Sequence, residues 1–314
     1  MFPPGTAQQA VFEYVQPLCV SVLDGYNVCI FAYGQTGSGK TFTMEGSAAD
    51  PGVSPRAVRE LFRVVETAAS EWSYELKFSM LEVYNETILD LLASDSGSDS
   101  KDKDSRERLD VRQTADGKGV VVAGLIELPV ESAARVEELM AQGQANRAVG
   151  AHDMNEHSSR SHSILTITVK GKNSADGTVT AAKLNLIDLA GSERISKTDA
   201  TGDRLKEAQN INKSLSALGD VIAALGNKKN THVPFRNSKL TYLLQDSLAG
   251  NSKVFMFSNV SPAVFNLSET VCTLNFASRC RAVELGAAKK NSGGAAAAGA
   301  AGAGAGGAKA GASK

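Results

Sequence analysis

The 314-residue chain has no long apolar run, few aromatic residues and almost no excess charge of either sign. A membrane-spanning helix needs about 18 consecutive apolar residues, and the opening residues MFPPG lack the basic and apolar regions of a signal peptide. The 33 basic and 34 acidic residues give a formal net charge of −1, which argues against a general nucleic-acid coat. We therefore expect a cytosolic chain that binds neither membrane nor nucleic acid.

Cysteine is also scarce, and the cysteines present form no CxxC pair and lie within apolar stretches. Buried reduced thiols are therefore favoured over disulfides or a zinc site. Three histidines spaced five residues apart between 152 and 162 fit neither one helix face nor a zinc-ligand pattern. The four cysteines are Cys19, Cys29, Cys272 and Cys280.

Short apolar runs alternate with amphipathic stretches along the chain, which favours a single α/β domain. The run NVCIFAY at 27–33 ends at a glycine and is typical of a strand buried on both faces. We predict a mostly parallel central sheet with helices on both faces over residues 1–291. The Ala/Gly-rich segment 292–314 cannot pack a core and is predicted to be a disordered tail.

The predicted elements follow from these patterns. Strands are expected near 27–33, 73–85, 109–112, 119–122, 124–128, 161–170, 179–187 and 253–259. Helices are expected near 7–24, 54–69, 86–92, 131–148, 204–225, 236–248 and 267–284.

The segment GQTGSGKT at 34–41 matches the pattern GxxxxGK[ST] between a predicted strand and a helix. Backbone N–H groups of such a loop surround phosphate oxygens, so Lys40 is expected to reach the β- and γ-phosphates and Thr41 to hold Mg²⁺. An accidental match has odds on the order of one in a hundred at average glycine content. The predicted nucleotide-binding residues are Gly34, Gln35, Thr36, Gly37, Ser38, Gly39, Lys40, Thr41 and Phe42.

Two further polar segments are informative only in combination. DLAG at 188–191 follows an apolar strand and fits a turn in which the aspartate reaches Mg²⁺ through water and the glycine N–H senses a γ-phosphate. By itself it is equally compatible with an ordinary turn at the end of a strand. NEHSSRSH at 155–162 precedes a strand and, taken alone, is compatible with a solvated loop.

Together, GQTGSGKT, NEHSSRSH and DLAGSER (188–194) resemble the P-loop, switch I and switch II of the kinesin motor family, and HVPFRNSKLTYLLQDSL (232–248) resembles a further hallmark. The resemblance covers about residues 2–291. It implies a P-loop NTPase fold and a motor that hydrolyses ATP with Mg²⁺ and moves along microtubules.

The resemblance also implies roles for individual residues. Ser158 would contact the γ-phosphate or the attacking water, and Asn155 would help to close the pocket. Arg160 would pair with Glu193 when the switches close, which agrees with the strength of a desolvated arginine–carboxylate pair. The implied catalytic residues are Asn155, Ser158, Ser159, Arg160, Gly191 and Glu193, and the implied metal residues are Thr41, Ser159 and, through water, Asp188.

Residues 204–253 contain eight basic and three acidic side chains, a local excess of five positive charges. In a kinesin-like chain this segment would dock onto the acidic surface of tubulin; without the motifs, an ordinary solvated face would be the better interpretation. The predicted microtubule-binding residues are Arg204, Lys206, Lys213, Lys228, Lys229, His232, Arg236 and Lys239.

The start of the sequence departs from the family pattern, because the first sheet strand and an Arg-x-Arg-Pro turn beside the adenine are not found. This implies either a fragment of a longer protein or impaired nucleotide binding, and in both cases an open sheet edge and an exposed apolar face. The segment 281–291 resembles the C-terminal-motor class, kinesin-14. That resemblance implies movement towards the minus end and dimerisation through a stalk outside this sequence. It also implies localisation to cytoplasmic microtubules, with the spindle as one candidate.

Two other functions fit parts of the sequence. A GTP-dependent switch also uses GxxxxGK[ST] and DxxG, but it reads guanine with NKxD, and the nearest string here, NKKN at 227–230, lacks the aspartate. A microtubule-binding module that no longer turns over ATP is the other alternative.

Overall fold

The computed structural model describes residues 1–93, 108–149 except 116 and 118, 158–193, 203–227 and 232–293. Strand β1 (Asn27–Tyr33) is buried along nearly its whole length and lies inside a mixed sheet. It pairs in parallel with β8 (Val179–Asp188) on one side and with β9 (Ser252–Ser258) on the other. Beyond β8 the sheet continues with antiparallel strands, which are β7 (Ser161–Asn173), β2 (Trp72–Tyr84) and β3 (Thr87–Asp90).

Short strands complete the sheet and add a small lobe. β4 (Asp110–Gln113) and β5 (Val120–Ala123) form a separate two-stranded hairpin. β6 (Leu128–Val130) pairs with β2, and β10 (Ser292–Gly293) pairs with β8. The predicted tail at 292–314 therefore begins with two residues that extend the sheet, whereas 294–314 lie outside the described residues.

Helices cover both faces of the sheet, and each face has its own apolar core. One core packs beneath α1 (Gln8–Glu13), α2 (Gln16–Val20), α4 (Val53–Thr67) and α5 (Ala133–Val149). The other lies beneath the β4–β5 hairpin and the remaining long helices. Those helices and the short ones near them are α6 (Asp203–Gly226), α7 (Lys239–Leu243), α8 (Gln245–Leu248) and α9 (Leu267–Arg281), with 3-10 turns at Phe235–Asn237 and Val264–Asn266. Helix α3 (Lys40–Met44) instead contributes Met44 to the first core.

The side chains of β1 contribute to both cores. Val28, Ile30 and Ala32 belong to the first core, and the alternate residues Cys29 and Phe31 belong to the second. Successive residues of a strand point to opposite faces, so a run that is apolar at every position requires cover on both sides. The predicted α/β architecture with helices on both faces is confirmed.

Four element predictions were wrong. The helix expected near 236–248 is a 3-10 turn followed by the short helices α7 and α8, and the strand expected near 124–128 is replaced by β6 at Leu128–Val130. The helix expected over 7–24 is broken into α1 and α2, because Pro17 lies in the first turn of α2, where a proline without an N–H is tolerated and starts a new helix. The helix expected near 86–92 is strand β3 instead. Asn85 and Glu86 adopt φ values of 51° and 57°, which is the two-residue type I′ geometry that reverses a hairpin.

The cysteine prediction agrees with the structure for two thiols. Burial raises the pKa of Cys19 and of Cys29 to about 12, so both remain protonated and unreactive. Within the described part of the chain, no cluster of histidine, cysteine and acidic side chains is placed to hold a metal ion. Among the same described residues, no helix is both long enough and apolar enough to cross a bilayer.

Strand β9 is the last strand on its side of the sheet among the described residues. Helix α9 packs against it, and the segment that leads into that helix exposes large apolar side chains. Val264 and Phe265 are 86% and 83% exposed, and Leu267 is 61% exposed. The described part of the sheet thus ends at β9 on this side, near exposed apolar side chains.

A buried ion pair connects the first core to the start of β7. Arg147, in the last turn of α5, lies 3.2 Å from the Glu82 carboxylate, and the two residues are only 6% and 1% exposed. The guanidinium also donates to the Ser161 hydroxyl and carbonyl and to the Ser158 carbonyl. Such a pair is costly to break, because the remaining partner is left charged and unpaired in the core.

Arg147→Met should lower the free energy of unfolding by about 3–5 kcal/mol, since it removes the positive charge that lies beside the buried Glu82 carboxylate. Urea denaturation checks this value. Arg135→Met is the matched control: its pair with Glu138 is largely exposed and is worth about 1 kcal/mol or less. The double variant Glu82→Met/Arg147→Met should be more stable than Arg147→Met alone. Equal instability of the two variants would show that the buried charge of Glu82 is not the cause.

Candidate functional site

The loop between β1 and α3 is held by hydrogen bonds from its side chains to its own backbone. The Ser38 hydroxyl donates to the Gln35 carbonyl at 2.8 Å, and the Lys40 ammonium donates to the same carbonyl at 3.0 Å. Gly37 and Gly39 adopt φ values of 76° and 92°, a region in which a side chain is unfavourable. The loop is therefore a compact turn with Lys40 folded inward, as a phosphate-binding loop requires.

Lys40 is a buried cation that has no carboxylate bound directly to it among the described residues. The residue is 6% exposed. Burial lowers its pKa, whereas the charges of Asp188 and Glu193 raise it. A buried ammonium in this state is stabilised by any anion that enters beside it, so its environment favours polyphosphate binding.

Thr41 and Asp188 meet although they are 147 positions apart, and the Thr41 hydroxyl donates to Asp188 Oδ2 at 2.6 Å. The other carboxylate oxygen, Oδ1, is buried and has no hydrogen-bond partner among the described residues. Burial also raises the pKa of Asp188. A hydroxyl beside a carboxylate with a free buried oxygen matches the oxygen donors that Mg²⁺ prefers together with retained water, so these residues fit the predicted metal.

Gly191 brings the predicted switch II to the predicted switch I and to the P-loop. Its N–H donates to the Ser159 carbonyl at 2.8 Å, and the next N–H, of Ser192, donates to the Gly34 carbonyl at 3.1 Å. A Cβ at position 191 would lie 2.3 Å from the Thr36 hydroxyl oxygen and 2.4 Å from Glu193 Oε2. A side chain at position 191 would have to displace the Thr36 hydroxyl or the Glu193 carboxylate, so glycine leaves the contact between them intact.

Glu193 contacts the P-loop in this structure. Its carboxylate accepts the Thr36 N–H at 2.8 Å and the Thr36 hydroxyl at 2.6 Å. Arg160 instead lines a small recess with Asn85 and Asn210 on the α6 side of the sheet. The pairing of Arg160 with Glu193 therefore stays a prediction for a different, closed arrangement.

The predicted nucleotide-binding residues run consecutively from Gly34 into the first turn of α3. Phe42 follows Thr41 on α3 with about half of its surface exposed, and its carbonyl accepts a hydrogen bond from Gln8. Asn155 lies outside the described residues.

Sequence reasoning missed two residues of this site. Arg147 binds the carbonyls of Ser158 and Ser161 and so fixes both ends of the switch I turn. Asn259, directly after β9, donates to the Thr43 hydroxyl at 2.9 Å, and its carbonyl oxygen would lie 2.1 Å from a Cβ at Gly34. Neither carries a local signal, since each acts through partners distant in sequence.

The predicted docking residues are only partly described. Lys213, His232 and Arg236 are exposed, and the Arg236 guanidinium lies 5.4 Å from the centre of the Tyr242 ring. Lys239 forms an ion pair with Asp110 that ties α7 to the β4–β5 hairpin. The side chains of Arg204 and Lys206, and the whole of Lys228 and Lys229, lie outside the described part.

Comparison with known proteins gives a consistent result. Residues 1–283 match the family model for the kinesin motor domain. The chain is 56% identical over 290 residues to kinesin-like protein KIN-14Q of Arabidopsis thaliana, covering 92% of this chain and 24% of that protein. It is 55% identical over 290 residues to kinesin-like protein KIN-14R of Oryza sativa subsp. japonica, covering 92% and 28%. The chain thus spans about a quarter of the length of these relatives.

Solved structures show the same fold. A KIF14 dimer in complex with a microtubule and AMP-PNP superposes with a TM-score of 0.83 at 40% identity, covering 92% of this chain and 80% of that one. The motor domain of a Kar3-like kinesin from Ashbya gossypii has a TM-score of 0.74 at 42% identity, covering 88% and 82%. With its P-loop, both switch segments and this fold, the chain belongs to the kinesin motor domain family.

Proposed function

We propose that this chain is a microtubule-stimulated ATPase motor that uses Mg²⁺ and ATP. The observation that carries the proposal is the meeting of three segments at one sheet edge: Lys40 and Thr41 of the P-loop, Ser159 of switch I, and Asp188 and Gly191 of switch II. A phosphate-binding loop alone holds nucleotide, whereas hydrolysis also needs a carboxylate near the metal and groups that position water.

Each segment has a distinct part in the proposed reaction. Lys40 neutralises the β- and γ-phosphates, and the inward-folded loop N–H groups hold them. Thr41, Ser159 and, through water, Asp188 would hold Mg²⁺, which stabilises the charge that develops on the phosphate oxygens. Ser158 orients the attacking water. In the proposed closed state the Gly191 N–H, which donates to the Ser159 carbonyl in this structure, would turn to the γ-phosphate, so the switch segments would close only over the triphosphate.

Closure requires Glu193 to exchange partners. Its carboxylate now holds Thr36; in the proposed closed state it pairs with Arg160. An arginine–carboxylate pair is strong when water is excluded, so closure fixes the geometry for hydrolysis.

The proposed partner is the microtubule, bound through the basic residues between Arg204 and Lys239. The likeness to a kinesin bound to a microtubule supports this. Movement towards the minus end is proposed from the similarity to KIN-14 proteins. A whole protein built like the coiled-coil Kar3Vik1 fusion would dimerise through a stalk and act on cytoplasmic or spindle microtubules.

Turnover with and without microtubules is the central test. The chain should hydrolyse ATP, and microtubules should raise the rate. Lys40→Ala should weaken ATP affinity by about 10- to 100-fold, because it removes a charge-assisted contact that no other cation of the loop supplies. Lys170→Ala, an exposed lysine at the far end of β7, is the control. Near-normal ATP affinity of Lys40→Ala would refute the phosphate assignment, and microtubule binding without turnover would favour a non-catalytic module.

Arg160→Ala and Glu193→Ala should each reduce hydrolysis by about a hundredfold or more while sparing ATP binding, since the pair forms only in the closed site. Single-turnover kinetics and fluorescent-nucleotide titration separate the two effects. The double variant should be little worse than either single variant. Losses that multiply would show that the two residues do not act as a pair.

Reversing Lys213 and Arg236 to Glu should weaken microtubule binding by about tenfold or more. The matched control reverses Lys170 and Lys172, which are also exposed but lie at the opposite end of the sheet, and changes the net charge equally. Cosedimentation in low and high salt measures both, because the Debye length falls from about 10 Å at 0.1 M to about 3 Å at 1 M. If the two double variants lose the same amount of microtubule binding, then binding depends on overall charge and not on a defined surface.

A further inference from the structure

His162 lies between the switch II backbone and helix α6. Its Nδ1 accepts the Ala190 N–H at 3.0 Å, and its Nε2 lies 2.8 Å from the Ser214 hydroxyl oxygen on α6. His162 and Ser214 are each only 2% exposed. The imidazole therefore bridges two elements that are otherwise distant in sequence, and no solvent competes for either contact.

The hydrogen-bond partners determine the tautomer of the ring. A backbone N–H can only donate, so Nδ1 must be the unprotonated acceptor and the ring proton must lie on Nε2. Nε2 then donates to Ser214, whose hydroxyl donates to the Ile211 carbonyl at 2.7 Å. Burial lowers the pKa of His162 to about 3, and the charges of Arg147 and Lys40 also lower it. The ring is thus neutral, and the donors run in one direction from Ala190 to Ile211.

The two ends of this chain touch the two functional regions. Ala190 lies between Asp188, which faces Thr41, and Gly191, whose N–H binds Ser159. At the other end, Ser214 is next to the exposed Lys213 on α6. If Ala190 shifts when the switch segments close, either the His162 contact to Ala190 or its contact to Ser214 must lengthen, unless α6 moves with it.

We propose that His162 is a positioning residue that couples the Ala190–Gly191 backbone to helix α6, so that α6 and the nucleotide site change position together. The microtubule experiment below rests on the proposed function, because it assumes that α6 contacts the microtubule. The simpler role of a buried histidine that only satisfies the Ala190 N–H would leave the contact to Ser214 without consequence.

Ser214→Ala separates these two roles, because it removes the α6 end of the chain and leaves the Ala190 contact in place. Basal ATP turnover should stay within about twofold of the unmodified chain, whereas the microtubule-stimulated rate should fall by about fivefold or more, the usual range of coupling between sites. Ser216→Ala, an exposed serine on the same helix, should change neither rate. A general loss of folding would instead lower both rates together, and that result or unaltered stimulation would overturn the proposal.

A second measurement needs no microtubules. Hydrogen exchange of α6, followed with and without ADP, should show nucleotide-dependent protection in the unmodified chain and in Ser216→Ala, and little in Ser214→Ala. His162→Asn, whose amide oxygen can replace Nδ1 but cannot reach Ser214, should behave like Ser214→Ala, and the double variant should be no worse. If all variants show the same nucleotide-dependent protection of α6, the coupling role of His162 is wrong, whether or not microtubules stimulate the chain. If the protection differs between variants but microtubules do not stimulate turnover, only the proposed function is wrong.

Discussion

The site depends on the parallel pairing of β1 with β8 and β9. Parallel strands end at the same edge of a sheet, and here the register sets Ala32 beside Asp188 and Tyr33 beside Ser258. The P-loop begins directly after Tyr33, switch II begins at Asp188, and Asn259 directly follows Ser258. No local structure could bring Thr41 and Asp188 together across 147 residues; the strand register does so, and the apolar cores on both faces hold that register.

Close packing at Gly191 brings the P-loop and switch II into direct contact. The space where a Cβ would stand is shared by the Thr36 hydroxyl and the Glu193 carboxylate. In the proposed closed state, Glu193 would bind Arg160 in place of Thr36. The buried Arg147 holds the carbonyls of Ser158 and Ser161, so such a change would be confined to the residues between them.

The features predictable from the sequence were those whose chemistry is local. GQTGSGKT forms its turn from its own glycines and backbone, and the apolar run at 27–33 requires burial on both faces whatever surrounds it. Arg147 could not be recognised, because in sequence it resembles any arginine near a helix end and its importance comes from Glu82, 65 positions away. The hairpin at Asn85 and Glu86 was missed for another reason: neither residue is a glycine, and the strands around it impose the left-handed backbone.

The outer edge of β9 has a consequence for how the protein behaves in solution. Within the residues that the structure describes, no strand pairs with that edge, and exposed Val264 and Phe265 lie close by in sequence. An unpaired edge beside apolar side chains is a template on which a strand from another molecule can add. Lys253, near the start of β9, is partly withdrawn over the Tyr26 ring, 4.1 Å away, and so gives little protection. Self-association through this edge would leave the nucleotide site intact, so the average particle size would rise with protein concentration while ATP turnover per chain stayed the same.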